Sequence, residues 1–541
     1  MFKVQHRLLL RALFIVNAVV ISHPLFARPN TIEYNLRAIL GRRAARDISA
    51  EELRQYETVL TSDSLAGRKT TTPGMWKAAT FIARQFRQFG LKPLPGADHY
   101  FFRWPIQVHH TVAPPQLAFF NGPDSLDLGW NSQFRIFSRS SNSSRDETDS
   151  LVFVGYGIYA DSIGYNDFKA VSLKGKIAVF YDGEPVDSTG ASRLTQSADS
   201  PYKIGRTKRH NLIKLGAAGA ITLIRSAGNT DFNQKTGWVA RYSSETTMSL
   251  PADTAKKSTY ASLYVDAAVA DSFFAAHHLN LNQLRAEIDS SGQPHSAMLP
   301  ITARYRTFIQ TNQDTAVNVV AMLPGKDPAD SEAVMLSAHF DHLGQRDSVI
   351  YYGADDNASG TSAVLAIARA FAKAGPGRRN QIFMLVSGEE EGLLGSQSYS
   401  ENPVWPLNHT VAEVNIDMIG RNAPDSIYVI GSDMLSHDLD AVVHAAARWS
   451  SGINLDYRYN TKDDPNRYYY RSDHYNFAKH DIPSVFYFAG IHEDYHQPTD
   501  TMDKLNFKKM ERVTRMIYQT TRTLNTIRRR PRLYKTDATV R

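Results

Sequence analysis

Ile382-Phe383-Met384-Leu385-Val386-Ser387-Gly388-Glu389-Glu390-Glu391 decides the architecture. Five consecutive apolar residues cannot alternate between core and solvent, so the run reads as a strand buried on both faces. Three carboxylates follow almost at once. Taken alone they suit the first turn of a helix, where the dipole favours negative charge. After a fully buried strand, however, they fall at a sheet edge, where charge needs a partner. Bound cations supply one.

The same texture extends on both sides. Residues 319–323, 334–337, 414–416 and 485–487 are further apolar or β-branched runs, and 359–372, 434–449 and 504–524 read as helices. Strands buried on both faces and separated by helices predict an α/β fold, with a mixed, mostly parallel sheet sandwiched by helices. In such sheets, sites form beyond the carboxyl ends of the strands.

Candidate ligands stand at these positions. His339 lies in Ser337-Ala338-His339-Phe340-Asp341-His342. Residues two apart on an extended segment face the same side, so Asp341 can accept from the second ring nitrogen of His339 and orient it. His342 has no such role and reads as structural. Gly353-Ala354-Asp355-Asp356-Asn357-Ala358-Ser359-Gly360 suits a turn capped by Ser359, or a carboxylate shared by two cations. Spacing does not choose between Asp355 and Asp356. Asp417 follows Val414-Asn415-Ile416, and His496 lies in Asp494-Tyr495-His496-Gln497-Pro498-Thr499. With Glu390, the set offers two imidazoles and three carboxylates, enough for two zinc ions if one carboxylate is shared. Glu389, beside a ligand, stands where a general base on a water would be.

At 541 residues the chain is too long for one core. The net charge of +7 comes partly from Arg528-Arg529-Arg530-Pro531-Arg532, and no basic stretch interleaved with aromatics points to nucleic acid. Lys3 and Arg7, the apolar residues 8–21 and Leu25-Phe26-Ala27 read as an export signal over 1–27. No later stretch is long and apolar enough to span a membrane. From the export signal the mature chain is expected to be periplasmic or secreted, and with no cysteine it must be stable through its core and hold metal by nitrogen and oxygen ligands. Residues 28–48 read as a poorly ordered leader. Ser49 and Glu52 form a capping box, and 75–89 a helix. Loop-rich stretches near 138 and 290 delimit an insert at 138–298, flanked by catalytic segments 49–137 and 299–527, with a basic tail at 528–541.

In order and local wording these motifs resemble the co-catalytic di-zinc aminopeptidases, a family of zinc exopeptidases that includes glutamate carboxypeptidases. The resemblance covers about 315–525, and about 140–295 resembles the family's β-rich protease-associated insert. It implies His339 and Asp417 on one zinc, Glu390 and His496 on the other, and Asp356 as the bridge, followed by a cis peptide to Asn357. It also implies Glu389 as general base and either Tyr495 or Tyr469 as the phenol facing the oxyanion. Cobalt or manganese are the alternative metals. The expected substrate is a peptide cut at its N-terminus. A carboxypeptidase or dipeptidase using Arg421 or Arg471 as a clamp, and a receptor-like binding protein, are the competing readings. Oligomeric state is not legible.

Overall fold

The computed structural model describes residues 29–137, 143–195, 200–226, 231–239, 246–251, 260–327, 331–450 and 452–534. Residues 1–28, which include the expected export signal, and 535–541 lie outside them.

Three helices open the described chain: α1 (Pro29–Ala45), α2 (Ala50–Leu60) and α3 (Pro73–Gln88). The leader expectation fails at α1. Its Tyr34, Ala38 and Ala45 are buried, it packs against two later helices, and Trp449 Nε1 donates to Asn35 Oδ1 at 2.8 Å. Ala38 and Ala45 allow this close approach around Tyr34, and the polar, arginine-rich composition does not reveal it. The capping box is half formed: Ser49 Oγ accepts from Glu52 N at 3.2 Å. The Glu52 carboxylate is engaged elsewhere, accepting from Arg369 and from the Tyr56 hydroxyl.

Strand β1 (Phe101–Asn121) leads into a second unit holding β2 (Arg145–Val154), β3 (Ile177–Tyr181), α4 (Gly205–Lys214), β4 (Gly219–Ile224) and β5 (Ala261–Asp266). Strand β6 (Ser296–Leu323) returns from it, antiparallel to β1 from Thr302↔Phe120 to Val319↔Phe101. This long ribbon joins the two units. The second unit's core begins at Leu117 and ends at Tyr305. The boundary therefore runs through continuous strands on either side of the expected 138–298, because a strand that crosses between cores carries no turn residues. Strands β2 to β5 pair in parallel, and helices 267–276 and 281–291 add to α4, so the unit is mixed α/β rather than purely β-rich.

The remaining elements are β7 (Ala333–His339), α5 (Gly360–Ala374), β8 (Asn380–Val386), β9 (Thr410–Ile416), β10 (Ser426–Ile430), α6 (His437–Trp449), β11 (Asn454–Asp456), β12 (Ser484–Phe488) and α7 (Phe507–Thr526). The sheet order is β11-β10-β12-β9-β7-β8-β6-β2-β3-β4-β5, with the short strand Phe134–Ile136 antiparallel beyond β5. Strands β12, β9, β7 and β8 run parallel, whereas β10 opposes β12 and β6 opposes β8. Every residue of β7, β8, β9 and β12 is buried, the apolar majority as expected of strands covered on both faces. A few polar side chains, among them Ser337, Glu413 and Asn415, are buried with them. The sheet is thus mixed, mostly parallel and flanked by helices.

Ala38→Asp places a carboxylate in the apolar contact beneath α1. It is expected to lower stability by about 2 kcal/mol or more and to speed limited proteolysis between residues 29 and 48, read by mass spectrometry. Unchanged cleavage there would show that α1 is not held by this face.

Candidate metal centre

The carboxyl ends of the parallel strands bring the expected residues together. His339 closes β7, Glu389 and Glu390 follow β8 through Ser387-Gly388, and Asp417 directly follows β9. His496 lies in the loop after β12, and Asp356 in the irregular turn leading into α5.

Asp356 is central. Its Oδ1 lies 3.4 Å from His339 Nε2 and its Oδ2 lies 3.1 Å from His496 Nε2. On one side Asp417 Oδ1 is 3.2 Å from His339 Nε2, and on the other Glu390 Oε2 is 3.2 Å from His496 Nε2. Glu389 Oε2 stands 3.9 Å from His339 Nε2. Among the described residues two donor groups form, His339/Asp356/Asp417 and His342/Asp356/Glu390, each with its atoms within 4.8 Å of one another. Asp355 turns away: its Oδ1 accepts from Gly420 N at 2.6 Å. The peptide bond from Asp356 to Asn357 is cis.

His342 corrects the sequence reading. Its Nδ1 lies 2.8 Å from Glu390 Oε1 and 3.9 Å from Asp356 Oδ2, so this imidazole belongs to the site. The available signal was its place three residues after His339. Asp341 acts differently from expectation too. His339 Nδ1 is 3.3 Å from the Asp341 carbonyl but 3.8 Å from its carboxylate. That carboxylate instead accepts from Thr70 Oγ1 at 2.9 Å and Glu389 N at 3.3 Å. Thr70 Oγ1 in turn accepts from Gly388 N at 2.9 Å. Asp341 therefore ties the His339 strand end to the Glu389 turn.

Other supports were not legible. Asp500 Oδ2 accepts from the backbone N–H groups of Asp355 and Asp356, both at 3.1 Å, so the loop of His496 fixes the loop of Asp356. Ser472 Oγ donates to Asp417 Oδ2 at 2.8 Å. Arg68, in the turn between α2 and α3, is fully buried. Its Nε donates to Phe340 O at 2.8 Å, Nη1 to Tyr352 O at 2.8 Å and to Leu60 O, and Nη2 to Gly353 O at 2.9 Å. One guanidinium thus holds the loops of His339 and Asp356. Gly67 (φ +69°) makes the approach possible, since a Cβ there would meet Gly344 O and Tyr351 O, each at 2.4 Å. A Cβ on Gly353 (φ +57°) would meet Asp356 O at 2.2 Å.

The electrostatics fit a cation site. Burial raises the Glu389 carboxyl well above its ordinary range, with Glu390 and Asp417 adding to the rise and His339 opposing it. Burial also opposes charge on Glu390, but His496 and His342 outweigh it and hold this carboxyl low. Against their own burial, the imidazoles are driven strongly upward, His339 by Asp417 and Glu389, His496 by Glu390 and Tyr495. Clustered buried carboxylates demand positive charge, and the nitrogen and oxygen donors around Asp356 suit zinc.

A pocket opens onto Asp356, Glu389 and Asp417, with Met418, Phe486, Phe488 and Ile491 as apolar lining and Tyr495 and Arg471 at its wall. The Tyr495 ring stacks on His496 with centroids 3.8 Å apart, and burial first raises its hydroxyl pKa, keeping it a donor. Tyr469 is not in this lining. Its ring packs against His474, Tyr470 and Tyr475, because within the tight turn 468–470 it is the neighbouring Tyr468 that faces the pocket. Arg421 is held by Asp494 at 2.8 Å and Glu493 at 3.1 Å, which leaves Arg471 as the arginine at the pocket. Arg206, from α4 of the second unit, has its pKa lowered by burial and then by Arg471.

Sheet, donor set and pocket together define a metallopeptidase. The sequence profile of peptidase family M28 matches residues 318–521. The uncharacterized protein YfbL of Escherichia coli (strain K12) is 30% identical over 240 residues, covering 38% of this chain and 71% of that protein. The chain belongs to peptidase family M28. A probable leucine aminopeptidase of Arthroderma otae is 32% identical over 203 residues, 36% of this chain and 53% of that one. The chain thus spans about half the length of this fungal relative. An aminopeptidase structure from Aneurinibacillus sp. strain AM-1 shares the fold at 21% identity and a TM-score of 0.55, covering 92% of this chain and 98% of that chain.

Arg68→Met leaves four carbonyls without their donor and the buried Glu57 without its strongest cationic neighbour. The expected loss is about 3–5 kcal/mol in urea unfolding of the metal-free protein. Adding Glu57→Gln should recover part of it.

Proposed function

We propose that this chain is an exported di-zinc aminopeptidase that removes N-terminal residues from peptides. The observation that carries the reading is Asp356, with one carboxylate oxygen towards each imidazole and Glu389 alongside. His339 and Asp417 would hold one ion, Glu390 and His496 the other, and Asp356 both. His342, against Glu390, orients that carboxylate.

Zinc ions, when bound there, would supply Lewis acidity that draws protons from water near neutral pH and polarises a scissile carbonyl. The remaining steps belong to the chain. Glu389 accepts the proton of the attacking water and returns it to the departing amine, a role that its upward-shifted carboxyl suits. Tyr495 donates to the developing oxyanion. Met418, Phe486, Phe488 and Ile491 receive an apolar side chain beside the bond to be cut. The name of the Arthroderma otae relative agrees with that preference. Export rests on the basic start at Lys3 and Arg7, the mostly apolar run at 8–21 and Leu25-Phe26-Ala27 as a cleavage point, and we read the second unit as a protease-associated insert. Arg471 at the pocket favours one competing reading, a carboxypeptidase that clamps a terminal carboxylate.

One peptide in free, N-acetylated and C-amidated forms separates these readings after reconstitution with zinc. The aminopeptidase trims the free and amidated forms stepwise from the N-terminus and leaves the acetylated one intact. Glu389→Gln is expected to lower kcat by about a hundred- to ten-thousand-fold with metal binding retained. Cleavage of the acetylated but not the amidated peptide moves the assignment to the carboxypeptidase.

A further inference from the structure

Two features with no part in peptide cleavage, the start of the described chain and its basic end, meet on one face. On α1 the residues Ile32, Leu36 and Leu40 fall at spacings of four and are 50%, 38% and 64% exposed. They form an outward apolar line, while Tyr34, Ala38 and Ala45 bind the opposite side of the helix to α6 and α7. A continuous exposed apolar stripe is uncommon on a protein that meets only water.

Cations surround this stripe. Arg42, Arg43 and Arg46 on and just after α1 are exposed. A cleft of about 610 Å³ beside Leu40 is lined by Arg37, Arg43, Lys326, Lys373 and Arg522, with Asp47 as its carboxylate. The tail joins the same face: Arg528 N donates to Glu33 Oε1 at 3.2 Å, and Arg528, Arg529 and Arg530 are exposed. Two acids offset part of the charge. Glu33 lies 3.6 Å from Arg37, and Asp47 2.9 Å from Lys373. Segments far apart in sequence thus assemble a surface that is basic and centrally apolar.

We propose that this face docks on an anionic lipid bilayer surface. An apolar helix line entering the headgroup region, flanked by arginine and lysine, is the chemistry that binds such membranes. The stripe separates this partner from nucleic acid, which needs the charge but not the leucines. The apolar run at 8–21 ends only a few residues before Pro29, so a retained leader would bring the face to the same surface.

The test is co-sedimentation of the full chain with two vesicle types, phosphatidylcholine alone and phosphatidylcholine with phosphatidylglycerol at about three to one. Wild type should bind the mixed vesicles at least about tenfold more tightly and release as salt is raised. Arg42→Gln/Arg43→Gln/Arg529→Gln should abolish that preference. Ile32→Ser/Leu36→Ser/Leu40→Ser should weaken binding to the mixed vesicles by a similar factor. Both variants should keep wild-type thermal unfolding and peptide cleavage in solution, and the tail-only change Arg529→Gln should show a smaller loss. Equal, salt-independent binding to both vesicle types by all variants would sink the proposal, since the leader alone would then be the anchor. Binding to a DNA duplex but to neither vesicle would equally overturn it.

Discussion

Four carboxylates, Asp356, Glu389, Glu390 and Asp417, converge beside three histidines in one buried place. Like charges in a low-dielectric setting repel strongly, so the arrangement persists only if positive charge accompanies it and the backbone is held against relaxation. Much of the surrounding structure meets one of these needs. His339 and His496 contribute charge and donor atoms, and His342 places a further ring nitrogen against Glu390. Arg68, Asp341, Thr70 and Asp500 provide the restraint, joining the loops after β7 and β8 to those before α5 and after β12. The cluster is a tertiary object in which no single loop could stand alone.

The parallel sheet makes the convergence possible. Parallel strands end at the same edge, so loops remote in sequence open onto one place. The antiparallel ribbon of β1 and β6 leaves that sheet and carries a second core at its far end. Arg206 of that second unit comes within electrostatic reach of Arg471 at the pocket.

Much was legible because buried strands carry continuous apolar runs and ligands follow their ends. Runs such as 382–386 and 485–487 appear as strands where expected, and His339, Asp356, Glu390, Asp417 and His496 do come together. The reading went wrong where local sequence and environment disagree. Nothing local marks Arg68 as buried; it is so because four backbone carbonyls converge on its guanidinium. The segment before residue 48 looks disordered because the residues that dock α1, Tyr34, Ala38 and Ala45, are few and scattered among arginines. Tyr469 and Tyr495 each stand near a motif, and only the path of the backbone around them assigns one to the pocket.

Periodicity and motif order by themselves determined the α/β layering, the strand-end placement of the donors and the family resemblance, because burial on both faces and spacing along one strand are local properties. Tertiary structure decided which carboxylate of Asp355 and Asp356 faces the cluster, that His342 shares it, and where the second core begins. It also decided that the first helix and the basic tail form one surface. Each of these depends on contacts between residues tens to hundreds of positions apart, and no local pattern encodes such contacts.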